Sequence, residues 1–337
     1  MKILIDIGHP AHVHLFRNFY HEMSGKGHEI TVTVKEIVSA KQLLDLYDIP
    51  YFTLGKKSDS ISGKAVSQVI YNMRMLRLVR REKISLGLGS TPTIAHVSKL
   101  SGMKSVMLDD DDDAVEPLMT LFGHPFTDLV VSPDSLRGSR KKKRTLFYPG
   151  YHELAYLHPC RFVPDITVLD DLGLEPSDKY VVMRFVSWKA SHDIGHKGIS
   201  LENKLAAVRK FSSLARVFIS AEGELPPELE EYRLKTEPHR IHDVLAYASL
   251  LWTDSFTMPS ECSVLGTPSV VIHNSRSFPL EIQRDKYGLC FTYSESHDNQ
   301  LLAIEKGESL LRTPGLKEEW LSRRNRFISD NVDLTSF

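Results

Sequence analysis

Short β-rich apolar runs alternating with helix-length segments are the feature that most narrows what this chain can become. Runs at residues 2–6, 29–34, 84–88, 104–108 and 128–132 follow one another at the spacing of strand, crossover helix and strand, which predicts a doubly wound parallel sheet. The order restarts at 179–185 and continues at 215–220, 249–253, 269–273 and 289–292, with helical segments such as 204–213 between the runs. A second α/β unit is therefore expected. Between the two, residues 149–164 hold Pro149, Gly150, Pro159 and Pro164 and read as a connector. The expected division is 1–160 for a first unit, 161–315 for a second, and 316–337 for an amphipathic helical tail packed back on the body through Trp320, Leu321, Phe327 and Ile328. Ligands of open α/β sheets bind beyond the carboxyl ends of the strands, so two units of this class are expected to face a shared cleft.

At 337 residues with 42% hydrophobic content, the chain can build two cores. Lys plus Arg number 42 against 43 Asp plus Glu, so no global positive field argues for nucleic acid, and anion recognition must be local. Cys160, Cys262 and Cys290 form no CxxC pair, which points to a reducing compartment and no zinc site. Asp6 interrupts the first apolar run, as suits a buried strand and not a signal peptide, and no run approaches the ~20 apolar residues of a membrane span. The expected location is the cytoplasm. The basic run 141–144 and the segment 70–83, where Met73, Leu76, Leu78 and Val79 mix with Arg74, Arg77, Arg80 and Arg81, leave peripheral contact with the inner membrane surface open. The plainer reading is a solvated loop and a surface helix. A homodimer is also open.

Residues 253–268 carry the most chemical information. The run 250–252 leads through Asp254 and Ser255 into a helix starting near Thr257, whose unpaired backbone N–H groups would face an anion. Pro259 suits the first turn and Gly266 the stop. Glu261, one turn in, repels phosphate but can accept from two vicinal ribose hydroxyls. Ser255, Thr257, Met258 and Glu261 are thus candidate diphosphate and ribose contacts, with an ordinary α/β crossover as the alternative. Arg184 and Ser187 stand where another strand runs out, and Arg184 can neutralise a diphosphate or serve a structural ion pair. Glu222 follows the next strand, and Ile241 and His242 can bracket a base.

The first strand ends at Gly8 and Pro10, beneath His9, His12 and His14. His12 falls in the first helical turn, where the macrodipole favours neutral imidazole, and is a candidate base. A structural histidine and a metal site are the other readings, although His12 and His14 diverge on a helix. The five aspartates 109–113 follow the run 104–108; their charge belongs on an acceptor side, away from phosphate, where Asp110 and Asp112 are acid–base candidates. A solvated turn and a Mg²⁺ site are the alternatives. Neither GxGxxG nor GxxxxGK[ST] occurs, which disfavours a nicotinamide or flavin site and excludes a P-loop.

Residues 10–16, 148–159, 184–192, 219–226 and 254–268, in that order, resemble recurring blocks of the predicted glycosyltransferases of domain of unknown function 354, relatives of GT-B enzymes and UDP-N-acetylglucosamine 2-epimerases. The resemblance implies a GT-B fold of two Rossmann-like domains, with nucleotide sugar held mainly by the second and acceptor by the first. It matches Glu261 to a ribose-binding glutamate and Ser255 with Thr257 to a phosphate turn. His12 is similar to the histidine of the glycine-histidine loop in the lipid-linked N-acetylglucosaminyltransferase of peptidoglycan synthesis. Phe256 stands where relatives usually carry glycine; Pro259, Cys262 and Ser263 replace small apolar residues; Asp112 stands where the family often has glutamate.

The expectation is a metal-independent, cofactor-free glycosyltransferase that moves a sugar from a nucleotide-diphosphate sugar, UDP by resemblance, to a glycan or lipid-linked acceptor hydroxyl in surface polysaccharide or glycoconjugate synthesis. His12 or an acid from 110–112 would be the base, and Arg184, Ser255 and the helix end at Thr257 would hold the departing diphosphate. A 2-epimerase-like enzyme and a nucleotide-sugar-binding protein without catalysis are the alternatives.

Overall fold

Among the residues that the computed structural model describes, 1–56, 61–186, 198–221 and 223–337, seven parallel strands form one sheet and five form another. The first comprises β1 (Lys2–Ile7), β2 (Glu29–Glu36), β3 (Tyr51–Lys56), β4 (Leu86–Gly89), β5 (Lys104–Leu108), β6 (Leu129–Pro133) and β7 (Thr145–Tyr148), ordered β3-β2-β1-β4-β5-β6-β7. The second comprises β8 (Tyr180–Phe185), β9 (Arg216–Ala221), β10 (Leu250–Thr253), β11 (Ser269–Ile272) and β12 (Cys290–Tyr293), ordered β12-β11-β10-β8-β9. β1 forms because Ile3, Leu4, Ile5 and Ile7 are buried on both sides of a central strand, the environment that rewards a continuous apolar run. β10 is buried along its whole length for the same reason.

β3 and β7 were not expected from the sequence. Both are edges of the first sheet, where one side meets solvent: Phe52 is 50% and Leu146 45% exposed. Edge strands lack the apolar run that marks a central one.

The chain divides into Met1–Tyr156 with Val332–Phe337, and Leu157–Asn331. The terminal segment is therefore not one helix. Leu316–Ser329 is helical and belongs to the second unit, where Trp320 and Phe327 are buried and Trp320 Nε1 donates to the Leu289 carbonyl at 3.2 Å. The last residues belong to the first unit: Val332 N–H donates to Pro149 O (2.9 Å), Thr335 Oγ1 to Ala155 O (2.9 Å), and Phe337 lies on Tyr148.

The helix Ile61–Glu82 packs Tyr71, Met75, Leu78 and Val79 into the first core against Leu4, Leu54, Ile94 and Val97. Leu78 and Val79, two of the residues that suggested a membrane-facing segment, are thus interior. The spacing 71, 75, 78, 79 is one helical stripe, and a stripe can serve only one surface.

Candidate functional site

In the first unit, the turn after β1 closes on itself. Gly8 N–H donates to His12 Nδ1 (3.2 Å), which leaves the proton of a neutral imidazole on Nε2. Burial, with His9, His152 and Lys35 adding to it, carries the His12 pKa from 6.5 down to about 3, so the ring is neutral at physiological pH. A Cβ on Gly8 would stand 2.6 Å from Thr91 Cγ2, so this approach requires glycine. Thr91 precedes the helix Pro92–Ser101 but its side chain makes no capping hydrogen bond. Its hydroxyl donates to buried Asp6, which also accepts from Thr33 Oγ1 at 2.7 Å. His14 faces elsewhere, stacked on Tyr156 with ring centroids 5.5 Å apart, which separates it from His12.

The acidic run is not a solvated turn. It folds around Arg140: Nη1 reaches Asp109 Oδ2 (3.2 Å) and Asp113 Oδ1 (2.5 Å), while Nη2 donates to the carbonyls of Asp109 (2.9 Å) and Asp111 (2.8 Å). His124 Nε2 meets Asp109 Oδ2 at 2.6 Å. The carboxylates of Asp109, Asp110 and Asp111 come within 4.8 Å of one another, but the buried guanidinium already pairs with two of the five aspartates, Asp109 and Asp113. Asp112 accepts the Ala114 N–H at 2.7 Å and so stiffens the turn.

Asp110 differs. Its side chain is 37% exposed and Oδ1 lies 3.1 Å from Nδ1 of His152, which the fold brings over from the segment after β7. Burial works to raise the Asp110 pKa, but the charge and hydrogen bond of His152 outweigh it and hold the carboxyl below its usual value. Burial likewise works to lower His152, and Asp110 outweighs it, leaving the imidazole above 6.5. The Tyr148 ring lies parallel to His152 at 6.4 Å, and His12 feels both Asp110 and His152 electrostatically. His12, Asp110 and His152 thus form one cluster at the carboxyl end of the sheet. Tyr148 Oη and His152 Nε2 are buried without a hydrogen-bond partner among the described residues.

In the second unit, the turn after β10 is fastened to the end of β8. Thr253 Oγ1 donates to Arg184 O (3.0 Å) and accepts from Ser255 N–H (2.9 Å); Asp254 Oδ1 accepts from Val186 N–H (3.0 Å). The helix Thr257–Leu265 then begins with no side-chain cap on its first N–H groups and ends at Gly266, whose φ of 87° a side chain would strain. Phe256 is turned onto the His273 ring, with centroids 4.0 Å apart. Thr257 is exposed, Met258 is buried, and Glu261 is 5% exposed with Oε1 3.0 Å from Nε2 of the buried His242. Arg184 Nη1 donates to Ser220 Oγ at 2.9 Å. Ser187 and Glu222, the other expected contacts, lie outside the described residues.

Sequence reasoning missed His152, Arg140 and Lys204. Five adjacent carboxylates at the end of a buried strand demanded a buried cation, and that demand pointed to a partner without locating it. Lys204 Nζ stands 4.4 Å from the Phe185 ring centroid and is coupled to Asp254; burial holds its pKa down. It is a partly buried cation beside the turn.

Residues 1–288 match the family described as "Protein of unknown function (DUF354)". No curated protein matches the chain. Among solved structures, the MnaA–UDP complex of S. aureus superposes with a TM-score of 0.71 at 13% identity, covering 99% of this chain and 93% of that one. The UDP-GlcNAc 2-epimerase from Neisseria meningitidis bound to UDP-GlcNAc gives 0.64 at 10% identity, covering 97% and 100%. The spinosyn forosaminyltransferase SpnP gives 0.66 at 12% identity, covering 99% and 96%. These neighbours, glycosyltransferases and epimerases alike, establish a GT-B fold of two parallel-sheet units, and by its sequence the chain belongs to the DUF354 family.

Proposed function

We propose that the protein is a metal-independent glycosyltransferase that uses a UDP sugar and a glycan or lipid-linked acceptor hydroxyl in surface polysaccharide or glycoconjugate synthesis. The observation that carries the donor half is the fastened turn 253–256 feeding an uncapped helix in which buried Glu261 is held by His242. Uncapped N–H groups suit a diphosphate, and a fixed carboxylate one turn into the helix suits a ribose diol. Arg184, Ser255, Thr257 and Lys204 supply the remaining polarity for phosphate, and Met258, Ser187 and Glu222 complete the proposed set.

The acceptor half centres on Asp110. Because Gly8 occupies Nδ1 of His12, the exposed chemistry of that ring is an N–H donor, and Asp110 is the group with lone pairs to take a proton. In the proposed step the acceptor hydroxyl gives its proton to Asp110 and its oxygen bonds the anomeric carbon. The bond from that carbon to the diphosphate breaks, and the electron pair leaves with the phosphate oxygen, stabilised by the helix N–H groups and Arg184.

A 2-epimerase is the second reading, favoured by the full-length likeness to proteins described as such. It consumes donor without acceptor, so UDP-GlcNAc incubated alone discriminates the two. The first test is thermal shift with UDP, GDP, CMP and dTDP on wild type and Glu261→Ala: a UDP shift absent from the variant supports the donor site, and no shift with any nucleotide ends the proposal.

A further inference from the structure

We infer that the first unit docks on an anionic lipid surface through a face shared by the helix Ile61–Glu82 and the segment ending at Phe126. Val66, Val69 and Met73 are 61%, 56% and 47% exposed, and their spacing places them on one stripe, opposite the residues that enter the core. That stripe continues into exposed Arg77 and Arg80. A second apolar set, Leu121, Phe122 and Phe126, is 62%, 56% and 41% exposed.

One imidazole joins the two sets. His96 Nδ1 meets Asn72 Nδ2 at 3.1 Å, its Nε2 meets the Phe122 carbonyl at 2.6 Å, and the Phe126 ring stands edge-on to it at 5.3 Å. Asn72 lies one turn from Val69 in the helix, so these contacts tie the helix that carries the first exposed set to the segment that carries the second.

Charge selects the occupant. The helix Ile61–Glu82 carries Lys64, Arg74, Arg77, Arg80 and Arg81 against a single carboxylate, Glu82, which pairs with Arg81 at 2.7 Å. Lys142 is fixed beside Phe126 through a 2.9 Å bond from Nζ to the Thr127 carbonyl. Asp111 and Glu116 precede the helix Pro117–Phe122, at its other end from Phe126. A two-fold contact with a second copy would press this cation-bearing face against an identical face of the same charge. A bilayer of acidic lipids offers hydrocarbon to the apolar stripe and phosphate to the cations together. No described helix is long and apolar enough to cross a membrane, so the contact is with the surface. The inference does not depend on the proposed chemistry, because docking needs no turnover.

The test is co-sedimentation of the full chain with vesicles of phosphatidylcholine alone and of phosphatidylcholine mixed with phosphatidylglycerol. Wild type should sediment with the mixed vesicles and be released by high salt. Val69→Asp with Phe122→Asp should lower binding by about tenfold or more, and Arg77→Glu with Arg80→Glu by a similar factor. Far-UV spectra and any nucleotide-induced thermal shift should stay as in wild type, separating lost docking from lost folding and from a failed donor site. The inference is overturned if wild type stays in the supernatant, if it binds both vesicle types equally, or if the apolar double variant sediments like wild type. It is equally overturned if light scattering shows a dimer that the same variant splits, which would assign the face to a second copy.

Discussion

Asp110 Oδ1 and His152 Nδ1 lie 3.1 Å apart, joining the segments after β5 and β7 across the intervening β6. Each charge steadies the other against burial, the carboxyl below its usual range and the imidazole above its own. Removing the imidazole in His152→Gln lets the Asp110 pKa rise, so the acid limb of UDP release from the donor should move to higher pH. Asp110→Asn should lower kcat by about 10²–10⁴ on the plateau and abolish the acid limb. Unchanged UDP affinity in both variants, with a shifted profile only in the first, is the expected pattern in a pH–rate comparison; a flat drop without a shift would make His152 merely structural.

His12 gives a stability prediction of definite sign. Its folded pKa is about 3 against 6.5 for the free side chain, so between those values the unfolded chain binds the proton and the folded chain does not. Stability therefore falls as pH drops below 6.5. His12→Asn removes this titration and should lose about 2 kcal/mol less than wild type between roughly pH 7 and pH 5. Urea unfolding of the first unit at both pH values measures it.

Arg140 should be the most sensitive residue of the acidic loop. Its guanidinium serves Asp109 and Asp113 at once, and all three side chains are nearly inaccessible. Arg140→Met leaves two buried carboxylates without their cation and should cost about 3–5 kcal/mol. Arg140→Lys keeps the charge but not the fork that also reaches two carbonyls, and should recover only part. Thermal unfolding of the three proteins ranks them, and a Met variant as stable as wild type would contradict the assignment.

These relationships explain which features could be read from the sequence. β1 and β10 were legible because burial on both sides forces a continuous apolar run, and the helix after β10 because Gly266 and Pro259 are local signals. β3 and β7 were not, since an edge strand with Phe52 or Leu146 facing solvent carries no such run. The cation inside the acidic loop was not legible because Arg140 stands 27 residues beyond Asp113, and composition carries no distance. His152 was hidden for another reason. It lies among the prolines of a segment whose composition reads as a connector, while its buried neighbours Tyr148, Tyr151 and Leu154 make that segment part of the first core.

Glu261 is the sharpest test of the donor site, because it pairs with His242 at 3.0 Å in the interior and so has both a structural and a binding role to lose. Glu261→Ala removes an acceptor from a buried imidazole and opens a void, so weaker UDP binding in that variant alone would be ambiguous. Glu261→Gln keeps the volume and an oxygen for His242 but gives up the charge that makes a carboxylate a strong acceptor for two hydroxyls. If the carboxylate holds ribose, calorimetry should show UDP affinity about tenfold lower for Gln and about a hundredfold lower for Ala, with the melting temperature reduced mainly in Ala. A Gln variant that binds UDP like wild type, beside an Ala variant whose affinity falls only as its stability falls, would confine Glu261 to the core and move ribose recognition to another part of the second unit.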